Sequence, residues 1–158
     1  MYMKKVLFIS STGGHLVELM QLQSLFKLYD YHIVTEKTKE NIALKSKYKN
    51  KIDYLVYGTR VHLIIYIFKF LYNIIKSFFI FIKVRPEYII TTGTHTAVPM
   101  CFIGHFFKKK IIYIETFANS DSPTQTGKIV YPIADVFIVQ WENMLQYYPN
   151  AIYGGWIF

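Results

Sequence analysis

Short apolar runs alternate with longer mixed stretches along the chain. The runs at 4–10, 31–36, 52–57, 87–91, 110–115 and 135–140 are rich in Val, Ile, Tyr and Phe and lack a clean period of two. That pattern suits strands of a parallel sheet buried on both faces. Between them, 14–28, 38–48, 60–84 and 96–107 read as helices. Strand–helix alternation implies right-handed βαβ units. The predicted fold is α/β, a single Rossmann-like, doubly wound parallel sheet. In such sheets ligands sit outside the carboxyl ends of the strands, so the loops after the strands are where chemistry is expected.

The segment 61–82, VHLIIYIFKFLYNIIKSFFIFI, breaks the rhythm. It is long enough to cross a bilayer. Lys69 and Lys76 near its middle each cost roughly 2.5–3.5 kcal/mol on the insertion scale, which offsets much of the apolar gain. His62, Tyr66, Lys69, Asn73, Lys76 and Lys83 recur every three, four or seven residues and fall on one arc of a helix. That arc is expected to face water, with one apolar side on the sheet and the rest on lipid. Arg60 and Arg85 flank the segment and it holds no acid, the pattern of a helix lying in an anionic membrane interface. Lys69, Lys76 and Lys83, with Arg60 and Arg85, are then the expected lipid contacts. A deeply buried core helix and a true span are the alternatives.

Composition narrows the classes. The 158 residues make about one domain, and 53% hydrophobic against 18% charged residues exclude a disordered chain. The formal net charge is +8, and every basic residue except Arg60 and Arg85 is Lys. Base readout leans on Arg forks, so the balance points to anionic membrane or phosphate rather than nucleic acid. The one cysteine, Cys101, excludes an internal disulfide framework and a Cys-rich metal site. The first apolar run is too short for a signal peptide and reads as a strand, implying a cytoplasmic protein.

Three loops carry candidate chemistry. Ser10-Ser11-Thr12-Gly13-Gly14-His15 joins the first strand to the first helix. Its glycines allow close backbone approach, and the helix start offers N–H groups to a phosphate. His15 can donate to phosphate or take a proton near neutral pH. A nicotinamide-dinucleotide site is disfavoured, although Glu36 ends the second strand where a ribose-binding acid stands, because G-x-G-x-x-G is not met. Thr91-Thr92-Gly93-Thr94-His95-Thr96 follows the fourth strand and could cradle a pyrophosphate, or Thr94 or Thr96 could simply cap a helix. His15 and His95 without a Cys or carboxylate partner do not make a metal site. Glu115 ends the fifth strand, where it could accept sugar hydroxyls, orient His15 or cap a loop. Gly127-Lys128 lacks the earlier glycine and the Ser/Thr of a P-loop, so a Walker-type site is rejected.

Together these residues resemble a known family. Ser11-Thr12-Gly13-Gly14-His15 resembles the G-x-G-G-H loop of the lipid II-forming N-acetylglucosaminyltransferase of peptidoglycan synthesis, and Thr92-Gly93 with Pro99 its acceptor-side glycine loop. The stretch from Ile112-Tyr-Ile-Glu115 through Pro123-Thr-x-Thr-Gly-Lys128, Ala134-Asp-Val-Phe-Ile-Val-Gln140-Trp141 and Tyr148-Pro149 to Tyr153-Gly154 is similar to the Alg-fourteen-like family, bacterial PssD, EpsE and CpsF types included. The resemblance implies the N-terminal, acceptor-side half of a split GT-B glycosyltransferase. A separate small subunit would bind the UDP-sugar, so this chain itself would need no cofactor. It would recruit that partner to the cytoplasmic face of the plasma membrane and present an undecaprenyl-type lipid-diphosphate sugar in capsule or exopolysaccharide synthesis, the donor being UDP-GlcNAc, UDP-Gal or UDP-Glc. Eukaryotic members carry an N-terminal membrane anchor; here attachment is expected to fall on 60–85. Ser11, Thr12, Gly13 and Gly14 with Thr92, Gly93 and Thr94 would hold the phosphates, and His15 or Glu115 would be the base. Gln140, Trp141, Tyr153 and Trp156 are the expected partner interface. The alternative is a scaffold that binds the transferase but no acceptor. A self-sufficient transferase is disfavoured, since GT-B enzymes use two such domains.

Overall fold

A computed structural model describes residues 2–59 and 61–157. Seven strands form one sheet: β1 (Lys5–Ile9), β2 (Asp30–Lys37), β3 (Ile52–Val56), β4 (Tyr88–Thr91), β5 (Lys110–Ile114), β6 (Val136–Val139) and β7 (Ile152–Tyr153). Their order is β3-β2-β1-β4-β5-β6-β7 and every neighbouring pair is parallel. The order reverses between β1 and β4, the switch point at which α/β sheets open a crevice. Alternation along β1 divides the core. Leu7 and Ile9 join Val34, Leu55 and Ile89 on one face, while Val6 and Phe8 join Ile90 and Ile114 on the other.

Five α-helices flank the sheet among the described residues: α1 (Gly14–Gln21), α2 (Leu44–Tyr48), α3 (Leu63–Val84), α4 (Val98–Phe106) and α5 (Gln125–Val130). All six expected strands are present within a residue or two. Three helices differ from expectation. The first ends at Gln21 and continues as a 3₁₀ stretch, Leu22–Lys27, which turns Leu22, Leu25 and Phe26 onto the Val6–Phe8 face before β2 begins. Of the expected helix at 38–48, only Leu44–Tyr48 forms. Asn41 holds the preceding residues in a turn: its Oδ1 accepts from the Thr38 N–H, and its Nδ2 donates to Glu36 O and Thr12 Oγ1. Such side-chain bonds compete with helix formation. Residues His95–Ala97 are 3₁₀, with Pro99 in the first turn of α4. β7 and α5 were not expected; Thr124 caps α5 by accepting from the Gly127 N–H at 2.9 Å.

The largest departure is α3. The middle of its polar arc, from Tyr66 to Lys76, lies toward the sheet edge at β3 rather than in water, while His62 and Lys83 stay exposed. Asn73, 5% exposed, accepts from the Val56 N–H at 2.9 Å and donates to Val56 O at 2.8 Å, as an eighth strand would. Lys69 donates to Tyr57 O at 3.1 Å, and Lys83 pairs with Asp53 at 2.8 Å. Tyr66 packs edge-on against His95. An edge strand has an open row of backbone donors and acceptors, and the polar arc satisfies part of it. The apolar side is thereby left outside. Ile64, Phe68, Ile75 and Phe79 are each more than half exposed, and 17% of the most apolar eighteen-residue stretch is buried. Arg60 lies outside the described residues.

Candidate functional site

The site lies at the carboxyl ends of β1, β2, β4 and β5, where the loops expected to act meet. Gly13, at φ 74°, opens α1, and its carbonyl accepts from the N–H groups of Leu16 and Val17. No side chain caps that helix start. A Cβ at Gly13 or Gly14 would meet nothing within 4 Å, so this part of the loop faces open space.

His15 is the best-defined group. Its Nδ1 lies 2.7 Å from Thr92 O. A carbonyl can only accept, so Nδ1 carries the proton. That tautomer leaves the Nε2 lone pair available to take a proton. Thr92 Oγ1 returns a bond to His15 O at 2.7 Å, and the Ser11 N–H donates to Gly93 O at 3.2 Å. Gly93 stands at φ 95°, a backbone conformation that side-chain-bearing residues rarely adopt, and the Tyr113 hydroxyl 3.2 Å from where a Cβ would lie makes the position tight. The two loops are thus latched together across 77 residues of sequence.

The latch consumes most of the donors expected to hold phosphate. The Gly93 N–H donates to Thr91 Oγ1, the Thr12 N–H to Glu36 Oε2, and Ser11 Oγ to Thr12 O. Ser11, Thr12, Thr92 and Gly93 each spend a donor within the protein, because each strand end has to satisfy its own backbone. Gly13 and Gly14 remain open, and Thr94 Oγ1 lies 3.4 Å from His95 Nδ1.

Glu115 stands apart from these loops. It is fully buried, and no contact joins it to His15 among the described residues. Its carboxylate accepts from Thr124 Oγ1 at 2.9 Å, Tyr148 Oη at 2.9 Å and the Thr116 N–H at 3.1 Å. Burial pushes the carboxyl's pKa up, and the Tyr148 and Thr124 hydrogen bonds pull the other way. Burial and the nearby Glu115 carboxylate raise the Tyr148 phenol. Glu115 anchors the 115–127 loop and α5 rather than facing a substrate.

Two other acids stand nearer the site. Glu18 lies one turn beyond His15 on α1, and its Oε2 is 3.7 Å from His15 Nδ1. Its Oε1 accepts from Thr116 Oγ1 at 2.7 Å and the Phe117 N–H at 3.0 Å, while Oε2 is buried without a hydrogen-bond partner. The i, i+3 spacing after His15 was the readable signal for it. Glu36 is buried, accepting from Thr96 Oγ1 at 2.7 Å and the Thr12 N–H, with His95 Nε2 at 3.9 Å. Occupied by the protein, it is not placed as a ribose acceptor.

The four residues expected to meet a partner divide between surface and core. Trp141 packs on Phe117 in a tilted pair with ring centroids 4.8 Å apart, Trp156 meets Phe117 edge-on at 5.4 Å, and Trp141 Nε1 donates to Phe117 O. Trp156 is 72% exposed, and Tyr153 lies half-exposed on the edge strand β7. Gln140, 1% exposed, is not surface: it donates to Glu115 O and accepts from the Ile157 N–H, tying the tail to β5.

The single sheet with its latched glycine loops defines a Rossmann-like half of GT-B type. The MurG of Acinetobacter baumannii shares the fold at TM-score 0.69 and 15% identity, over 89% of this chain and 42% of that one. UDP-N-acetylglucosamine 2-epimerase of Rickettsia bellii does so at 0.72 and 18%, over 94% and 42%. The chain thus spans about two fifths of these solved structures. More specifically, it belongs to the family described as "Oligosaccharide biosynthesis protein Alg14 like", whose model matches residues 6–157. Relatives named UDP-N-acetylglucosamine transferase subunit ALG14 include that of Mus musculus, 25% identical over 96% of this chain and 82% of the relative. That of Candida albicans is 36% identical over 54% and 42%.

Proposed function

We propose that this chain is the acceptor-side subunit of a two-component UDP-sugar glycosyltransferase at the cytoplasmic face of a membrane. The observation that carries the reading is the outward apolar face of α3, which brings the strand-end loops to a membrane surface, where lipid-linked acceptors reside. Three polar ties, at Lys69, Asn73 and Lys83, fasten α3 along β3. A spanning helix would drag that strand into hydrocarbon, where open sheet edges are not tolerated. A helix lying in the plane fits both sides of α3. The lysines expected to grip lipid are partly engaged: Lys83 is neutralised by Asp53 and Lys69 is tied to Tyr57, so apolar insertion takes the larger share.

The relatives' being named transferase subunits supports a donor site on a partner subunit. That subunit docks on the Trp141–Trp156–Tyr153 surface, because clustered aromatics with exposed faces suit an interface core. The relatives' names make UDP-N-acetylglucosamine the first donor to test, and polysaccharide assembly on an undecaprenyl-type carrier is the proposed setting. His15 Nε2 takes the proton of the acceptor hydroxyl as its oxygen bonds to the anomeric carbon and the sugar–diphosphate bond breaks, releasing UDP. Glu18 lies beside the imidazolium so formed.

Transfer by the co-purified pair tests this. Such a base contributes about 10²–10⁴-fold. His15→Ala is expected to lower kcat by that factor while pull-down of the partner is unchanged. An unaltered rate favours a scaffold that binds only the transferase.

A further inference from the structure

Three cavities adjoin along the strand ends. The first, about 360 Å³, lies between α3 and β3 and is lined by Lys37, Tyr54, Tyr57, Lys69 and Lys76. Lys37 and Tyr57 also wall the second, about 670 Å³, which reaches Thr12, Lys39 and Glu40. Thr12 and Glu40 also wall the third, about 430 Å³, which reaches Gly13 and Val17. The three cavities therefore lie in series, sharing walls, between the membrane-facing helix and the glycine loop.

Their charge is divided. Three lysines and no carboxylate line the α3 end. Neither Lys37 nor Lys76 is ion-paired among the described residues, and Lys69 spends one donor on Tyr57 O. At the other end Glu40 lines the cavity, Glu36 and Glu18 stand behind the glycine loop, and donors of Ser11, Thr12, Thr92 and Gly93 are committed within the protein, leaving the open Gly13-Gly14 backbone beside three carboxylates. Phosphate is repelled by carboxylates and held by ammonium groups; sugar hydroxyls are neutral.

We propose that the Lys37–Lys69–Lys76 cavity binds the diphosphate of a lipid-linked substrate. Its hydrocarbon chain lies along the apolar face of α3 and its sugar extends past Thr12 toward His15. This rests on the lipid-linked acceptor reading but moves the anion away from the glycine loop. The cavity's chemistry is that of a lipid phosphate, with two sources: a polyprenyl diphosphate, to which the proposal commits, or a bilayer phospholipid.

Flotation of the full chain separates them, using phosphatidylcholine vesicles doped with undecaprenyl diphosphate or with charge-matched phosphatidylglycerol. Wild-type protein is expected to prefer the diphosphate. Lys37→Gln/Lys76→Gln, which removes no hydrogen bond among the described residues and only the cation–π contact of Lys76 with Tyr72, is expected to weaken that binding at least about tenfold, because two charge-assisted contacts to phosphate are lost. Lys37→Arg/Lys76→Arg is expected to retain it. A wild-type preference unchanged in the Gln variant overturns the cavity and leaves the acceptor reading standing. Equal loss on both vesicle types makes this a general phospholipid site and also overturns it. Absence of any wild-type preference for the diphosphate overturns the acceptor reading and the cavity together.

Discussion

α3 and α4 pack against each other on the same face of the sheet, yet they bury opposite kinds of residue. α4 hides Pro99, Met100, Cys101 and Gly104, as a helix folding in water does. α3 hides Asn73 and Ser77 along with Ile80 and Phe81, and leaves Ile64, Phe68, Leu71, Ile75 and Phe79 outside. The difference comes from what each helix covers. α4 lies over the sheet face, where neighbouring side chains are apolar, and Met100 packs among Leu7, Ile9 and Ile89. α3 runs along the edge, where the neighbour is the open backbone of β3. A polar stripe is therefore the complementary surface for α3, and its apolar residues are left for a second solvent.

The strongest challenge to this contrast is to charge the outer face of α3. Each exposed Ile or Phe contributes about 1.5–3 kcal/mol when fully buried. Ile64→Glu/Phe68→Glu/Ile75→Glu is therefore expected to reduce vesicle partitioning at least about a hundredfold. The thermal midpoint in detergent-free buffer is expected to hold or rise, because none of the three side chains belongs to the core. A fall in stability with unchanged partitioning would mean that this face packs on protein.

The inner face is probed by Asn73→Leu. It leaves the Val56 N–H and C=O without their partner, at about 1–3 kcal/mol for each buried group. A loss of about 2 kcal/mol in urea unfolding is expected, even though the change makes the helix more apolar. If α3 were an ordinary core helix, Leu would be neutral or stabilising there.

The same contrast marks how far the sequence could be read. The strands were legible because a parallel strand covered on both faces has to be apolar at nearly every position, as β1 and β5 are. The placement of the loops at one end of the sheet followed from that topology. The direction of the α3 arc was not legible: a stripe of Lys, Asn and Tyr suits water and an open strand edge equally, and only the position of β3 as the edge decides. Nor could partners distant in sequence be assigned. Thr92 and Ser11 look like phosphate donors until the latch to His15 and Gly93 is known, and Glu115 looks catalytic until Tyr148 and Thr124 close over it. Gln140 read as surface because its bonds to Glu115 O and the tail are tertiary. Glu18 was within reach, three residues after His15 on the helix.

The smallest effect sharpens the contrast where α3 ends. Asp53 on β3 receives His32 Nε2 at 2.9 Å and Lys83 of α3 at 2.8 Å. The His32 hydrogen bond, with Lys83 behind it and burial opposing, holds the Asp53 carboxyl well below the usual carboxylate range. A carboxyl lowered in the folded state stabilises fully above its unfolded pKa of about 3.9, and that stabilisation is lost as pH falls below it. Lys83 is largely exposed, so solvent screening limits the contribution to the order of 1 kcal/mol. Unfolding by urea at pH 7 and at pH 3 is expected to show a stability loss in the wild type that exceeds that of Asp53→Asn by this amount. Equal losses in the two proteins would detach the carboxyl end of α3 from β3, and with it the argument that the helix is fastened to the sheet edge along its length.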